Sequence, residues 1–163
     1  MTDHVEQTLF LIKPYGVQRG LTGRIIQRLE DTGFKIAAAK MVWADEDLAK
    51  DHYAEHVGKD FYDGLEALLT SGPVMAMIVE GASAIDKTRQ LIGDTQPKQA
   101  QPGTIRGDFA SMDYDLADAH GIGLKNLVHA SEDKEAAQEE INIWFDESEQ
   151  HEYKTVHEQH TTQ

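Results

Sequence analysis

The hexapeptide Asn126-Leu127-Val128-His129-Ala130-Ser131 sets an imidazole and a hydroxyl two residues apart at the end of a short apolar run. The helix expected after it carries an acid, Glu140, inside an apolar stripe that reads Ala136, Ala137, Ile141 and Trp144. A carboxylate among greasy neighbours is costly unless something hydrogen-bonds it. A histidine ending a strand, a serine nearby and an inward acid on the next helix are the parts of covalent chemistry: a nucleophile, a group that orients it, and a link between them. Taken alone, His129 is either a packed core histidine or a catalytic one.

Three scattered cations could serve such a nucleophile. Lys13 ends the first expected strand, Arg89 lies on a helix, and Arg106 stands in a long loop that also holds Thr95. Arginine's planar fork suits phosphate. Arg89 falls on the Ile85–Ile92 face and is expected to point toward protein, where a structural ion pair or a converging phosphate chain would satisfy it. His52 and His56 have the i, i+4 spacing of a helical metal pair; without a third ligand in view they read as a solvated pair. His151, His157 and His160 belong to a polar tail and read as solvated too. No G-x-x-x-x-G-K-[ST] occurs, and Gly16, Gly20 and Gly23 do not match a dinucleotide fingerprint.

These side chains need a scaffold, and the periodicity supplies one. Thr8 to Ile12 is apolar on both faces, as in a central strand, and Lys13-Pro14-Tyr15-Gly16 stops it. Leu21, Ile25, Ile26 and Leu29 mark a helix closed by Gly33. Lys35 to Trp43 is a second strand with Ala37, Ala39, Met41 and Trp43 expected on one side. Asp45 caps a short helix through Tyr53, and Phe61, Leu65, Leu68 and Leu69 define another. Val74 to Val79 is a third, buried strand. Ser83 and Asp86 suggest a capping box for a helix ending at Gly93. Asp94 to Lys125 shows little periodicity and is expected to be a functional loop, with Asp113, Asp115 and Asp118 as an acidic patch. The order is a βαββαβ split with insertions, an α/β (α+β) ferredoxin-like antiparallel sheet of four strands with helices packed on it.

The chain of 163 residues is expected to form a single domain, 1–163, with residues 1–7 loose and a polar, partly mobile tail from about 147 to 163. Cysteine is absent, and no signal-like leader or membrane-length apolar run is seen; a soluble, cytoplasmic protein is expected. Acids number 29 against 15 lysines and arginines, a formal net charge of −14. Such a chain repels nucleic acid and anionic membranes, so neither is an expected partner, and a phosphate ligand must be held locally. The preferred reading of the charge is adaptation to high salt, where self-repulsion is screened.

Four segments together resemble nucleoside diphosphate kinase: Ile12-Lys13-Pro14-Tyr15-Gly16-Val17-Gln18-Arg19-Gly20, Ser71-Gly72-Pro73-Val74, Pro102-Gly103-Thr104-Ile105-Arg106-Gly107-Asp108-Phe109, and Asn126 to Ser131. The resemblance runs in order from about residue 7 to 153. It implies ping-pong transfer of a γ-phosphate from a nucleoside triphosphate to a nucleoside diphosphate through a phosphohistidine, with His129 as nucleophile and Glu140 and Ser131 orienting its ring. By the same resemblance Lys13, Tyr53, Arg89, Thr95 and Arg106 are phosphate contacts, Asn126 with Lys13 contacts ribose, and Phe61 is the platform on which a base stacks. Stacking reads a π-face, so broad base tolerance follows. Magnesium, held mainly by the nucleotide phosphates, and a homo-oligomer, hexamer or tetramer, are also implied. A nucleotide-binding regulatory protein without turnover is the alternative. The chain departs from the family's usual aspartate at Tyr15, glycine at Ala130 and aspartate at Glu132. It also carries an extra segment between Phe109 and Asn126, expected to project as an acidic hairpin or loop.

Overall fold

Strand β1 (Val5–Ile12) is the spine of the molecule, with a neighbour on each side and five consecutive buried residues from Thr8 to Ile12. The computed structural model describes residues 4–162. β1 starts at Val5, inside the segment expected to be loose; residues 1–3 of that segment and the last residue of the tail lie outside the described residues. Pro14 ends the strand and opens a short helix, α1 (Pro14–Gln18), because its ring pre-sets helical φ and its missing N–H is not needed there.

Helix α2 (Thr22–Asp31) follows, closed by Gly33 at φ +89°, a left-handed position suited to glycine. It leads into β2 (Lys35–Trp43). Helix α3 (Glu46–His52) has Asp45 accepting from the Leu48 N–H at 2.8 Å, and α4 (Tyr62–Leu69) returns to β3 (Pro73–Ala82). Helix α5 (Ala84–Ile92) and the short β4 (Val128–Ala130) complete the split. The sheet order is β2-β3-β1-β4 with every neighbouring pair antiparallel, the ferredoxin-like arrangement read from the sequence. Helix α8 (Lys134–Trp144) closes the second face. One core lies between the sheet and α2 and α5, around Phe10, Ile12, Ile25, Leu29, Met77 and Val128. The other, on the opposite face, gathers Leu9, Leu11, Ala49, Leu69, Ile78, Ile141 and Trp144.

The structure corrects several expectations. Ala37 does not share a side with Ala39, Met41 and Trp43: the register with β3 slips between Ile36 and Ala38, and the bulge buries Ala37 and Ala38 while leaving the other three exposed. Ser83 makes no capping box. It sits at φ 50°, its side chain caps nothing, and the Glu6 carboxylate accepts from the Ile85 N–H instead.

The long loop is not devoid of elements. It contains a single 3₁₀ turn at Pro97–Gln99, then α6 (Ile105–Phe109), capped by Thr104, and α7 (Tyr114–His120), capped by Asp113. The extra segment is therefore helical rather than a hairpin. It is pinned at one end by an Asp113–Lys98 ion pair of 2.7 Å and at the other by glycine-to-glycine packing, where a Cβ on Gly123 would lie 2.6 Å from the Gly64 carbonyl oxygen.

The polar tail packs back along β2. After a 3₁₀ turn at Glu147–Glu149, the His151 N–H donates to the Ala37 carbonyl at 2.8 Å and the Tyr153 hydroxyl to the Ile36 carbonyl at 2.9 Å. Lys40 pairs with Glu149 at 2.7 Å, and α9 (Glu158–Thr161) lies against Gly33. The tail thus covers the bulged half of the β2 edge, which would otherwise offer unpaired backbone groups. Among the described residues no helix is long and apolar enough to cross a membrane.

Candidate active site

The register of β1 with β4 builds the site. Leu11 pairs with His129 and Ile12 with Val128, so the end of β1 brings Lys13 beside Asn126 and Leu127. Alternation along β4 buries Val128 and Ala130 on the α2–α5 side and turns His129 toward α8. There Glu140 Oε2 accepts from His129 Nε2 at 2.8 Å and from the Ser131 hydroxyl at 2.6 Å. Ser131 is fully buried, and its oxygen also accepts from the Leu9 N–H, which fixes it to the sheet. A carboxylate accepts only, so the hydrogen-bond pattern assigns the proton to Nε2 and leaves the Nδ1 lone pair free. The His129 side chain keeps 23% exposure, enough for a ligand to reach the ring.

His129 and Glu140 line a cleft of about 580 Å³, within the usual size of ligand pockets. Lys13, Tyr53, Arg89, Thr95, Arg106 and Asn126 line it as well. Lys13 Nζ donates to Asn126 Oδ1 at 2.8 Å, and burial, with the Arg106 charge adding, holds its ammonium down at about 7. Asn126 Nδ2 donates to the Thr95 carbonyl at 3.0 Å, tying the loop to the floor of the cleft.

Arg106 is buried and spends three of its N–H groups on the carbonyls of Gly93, Asn126 and Val128 at 2.9–3.0 Å. Burial first, and then Arg89, lowers it to about 10, so it stays charged at neutral pH. Arg89 differs from expectation: it is exposed, faces the cleft, and among the described residues has no acidic partner within 4.0 Å. The structural ion pair considered for it is absent among those residues, and its fork is free for a ligand. Phe61 is the one expected contact outside the cleft lining. It stands just before α4, 53% exposed, with its ring 5.3 Å from that of His56, which does line the cleft.

Two departures from the family pattern are absorbed. Tyr15 is buried, its hydroxyl accepts from the Asn126 N–H at 3.0 Å, and burial pushes the phenol up to about 12. Ala130 lies in an ordinary strand conformation, so its Cβ strains nothing; the left-handed residue is Leu127, at φ 70°, whose carbonyl accepts from the Lys13 N–H at 2.8 Å. A bulky residue in that region costs free energy and is held there by its neighbours.

The sequence reading missed His52. It is no solvated partner of His56: its ring stands edge to face against His129 at 4.6 Å, and Trp144 Nε1–H donates to its Nδ1 at 3.2 Å. Burial, then His129, Lys13 and His56, lower its pKa well below the usual imidazole value. The signal was present, because Leu48, Ala49 and His52 share one helical face.

The chemistry this arrangement offers is nucleophilic attack by an oriented neutral imidazole on an anionic group held by cations. A nucleoside diphosphate kinase family model matches residues 6–150. The nucleoside diphosphate kinase of Pyrococcus furiosus is 46% identical over 151 residues, 93% of this chain and 89% of its own. That of Halobacterium salinarum is 49% identical over 151 residues, 91% and 88% respectively. Among solved structures, the enzyme of Borrelia burgdorferi with bound vanadate and ADP has a TM-score of 0.91 at 40% identity, covering 94% of this chain and 95% of that one. A halophilic nucleoside diphosphate kinase from Halobacterium salinarum in complex with CDP has 0.86 at 45%, covering 96% and 97%. With fold, segment order and relatives in agreement, the chain belongs to the nucleoside diphosphate kinase family and is a nucleotide phosphotransferase.

Proposed function

We propose that His129 carries the phosphate between the two half-reactions. The observation that supports this best is the pair of hydrogen bonds on Glu140 Oε2, which fixes the ring and leaves Nδ1 unprotonated in a cleft floored by Lys13, Arg89 and Arg106. The Nδ1 lone pair attacks the γ-phosphorus of a nucleoside triphosphate. As the new N–P bond forms, the bond to the β–γ bridging oxygen breaks, and the diphosphate leaves with that electron pair. The ring gains positive charge in this step, and the Glu140 carboxylate neutralises it. A β-phosphate oxygen of a second nucleotide then attacks phosphorus and releases neutral imidazole. No strong base is needed; positioning and charge compensation carry the rate.

Lys13, Tyr53, Arg89, Thr95 and Arg106 hold the phosphates, Asn126 with Lys13 the ribose, and Phe61 offers a stacking face to any base. The ADP and CDP bound in the related structures agree with such tolerance. Magnesium enters as part of the substrate and spreads the charge of the phosphate chain. Among the described residues the one compact group of metal-type ligands is His52, His129 and Glu140. It is rich in nitrogen, and two of its members are already hydrogen-bonded to each other, a poor match for an oxygen-seeking ion. Carboxylates do line the cleft at Asp51, Glu55, Asp94, Glu132 and Glu139, and oxygen donors of this kind would suit magnesium carried in on a nucleotide.

The protein works as a homo-oligomer, hexamer or tetramer, in a cytoplasm of high salt. The net charge of −14 supports the salt reading, and so does the likeness to a halophilic enzyme. The decisive experiment is incubation with γ-labelled ATP and magnesium, followed by a test for an acid-labile, base-stable phosphate. His129→Gln should carry none; label retained on that variant would overturn the assignment.

A further inference from the structure

Glu140 holds Nε2 of His129, and a second aromatic ring stands against the same imidazole. That ring is His52, the last residue of α3, crossing His129 at an interplanar angle of 83°. Behind it lies Trp144, the last residue of α8, whose indole crosses His52 at 85° and donates its N–H to Nδ1. His52 Nε2 is buried and has no hydrogen-bond partner among the described residues.

An indole N–H can only donate, so His52 Nδ1 must accept, and the ring is the neutral Nε2–H tautomer. Protonating it would set a second N–H against the indole N–H. It would also place a cation beside a nucleophile that itself gains positive charge when phosphorylated. The groups facing His52 are His129 from β4, Lys13 from the end of β1, Glu140 and Trp144 from α8, and Tyr53 and His56 beyond its own helix. Glu140 is the one acid among them and is already committed to His129 and Ser131.

We propose that His52 is a positioning residue for His129, and that the Trp144 indole keeps it uncharged in the range where the enzyme works. The inference rests on the reading of His129 as phosphate carrier. It assigns a task to two side chains: His52 backs the reacting ring as a neutral imidazole, and Trp144 denies His52 a second proton. The burial that lowers the affinity of His52 for a proton acts in the same direction.

The test is single-turnover phosphorylation of the whole protein by Mg-ATP across pH, for wild type, Trp144→Phe, His52→Asn and the double variant. Phenylalanine keeps the ring and removes the donor; asparagine offers the indole an acceptor oxygen and cannot titrate near neutrality. Trp144→Phe should move the acid limb of the rate upward by about one pH unit, with rates at about pH 9 within twofold of wild type. In the His52→Asn background the same change should move nothing. An unmoved limb in Trp144→Phe, or a shift that persists without His52, overturns the proposal.

Ring nitrogen shifts of the wild-type protein give an answer that needs no variant to fold. His52 should be neutral with its proton on Nε2 at about pH 6, and a doubly protonated ring or a proton on Nδ1 there overturns the proposal. His129→Gln separates the two layers. Label surviving in that variant removes the underlying reading, whereas label lost there alongside an unmoved limb in Trp144→Phe removes only this inference.

Discussion

Replacing Glu140 with glutamine tests the proposed orientation of His129 most directly. Oε2 now accepts two charge-assisted hydrogen bonds, at 2.8 Å from His129 and 2.6 Å from Ser131. Glutamine keeps the shape, loses the charge, and sets an amide donor in place of one carboxylate oxygen. If that donor faces His129 Nε2, the ring must shift its proton to Nδ1 and lose its free lone pair. If the carbonyl faces it, the hydrogen bond survives without the charge. A hydrogen bond to a charged group contributes about 1.5–3 kcal/mol against about 1 kcal/mol for a neutral one. The difference is felt mainly as the ring becomes positive, so the phosphorylation rate should fall by about 10- to 100-fold. Glu140 acts on the ring and not on the nucleotide, so ATP affinity should hold within about twofold. Rapid-quench single turnover with labelled ATP gives the rate, and equilibrium binding to the same variant gives the affinity. A rate within about threefold of wild type, or affinity falling in step with rate, would refute the reasoning.

Other outcomes follow from the same geometry. Lys13 titrates near 7 in the folded protein against 10.5 in the unfolded chain, so the unfolded chain holds more protons between those values and this residue makes stability rise with pH across that window. Nucleotide phosphate restores its charge, so calorimetry at about pH 8.5 in buffers of differing ionisation enthalpy should detect proton uptake on binding; none would contradict the buried ammonium. Ser131→Ala leaves the Leu9 N–H without its acceptor and Glu140 without one donor, and should cost about 1–3 kcal/mol in a denaturant melt. Ala130→Gly should leave the phosphorylation rate unchanged and cost about 0.5–1 kcal/mol of stability, since the backbone there is an ordinary strand. Melting should occur at higher temperature in molar salt than in dilute buffer, and equal values would dismiss the high-salt reading of the acidic surface.

The sheet and the pairing of His129 with Glu140 were legible because their signals are local. Apolar runs marked the four strands, and Glu140 in an apolar stripe announced a hydrogen-bonded, half-buried acid. What stayed hidden depends on partners distant in sequence. The bulge at Ala37 answers to β3 and not to alternation within β2. Arg89 has a helical position that fits either a buried or a cleft-facing side chain, and only the shape of the cleft decides. His52 was assigned to solvent because its helical partner His56 was weighed, while Trp144, far along the chain, was not. Helix α7 was readable in principle: Asp113 capping Leu116 and Gly121 at φ 61° are ordinary start and stop signals, obscured by the surrounding acids.

The docked tail has a bearing on how the chain acquires its shape. Tyr153 reaches back 117 positions to the carbonyl of Ile36, so during synthesis the bulged margin of β2 stays bare until all four strands of the sheet have left the ribosome. For that interval a strand from any neighbouring molecule can occupy the same carbonyls. Assembly of this protein is therefore a race between a dozen late residues and intruders, and its yield should depend on concentration far more than the finished molecule's stability would suggest.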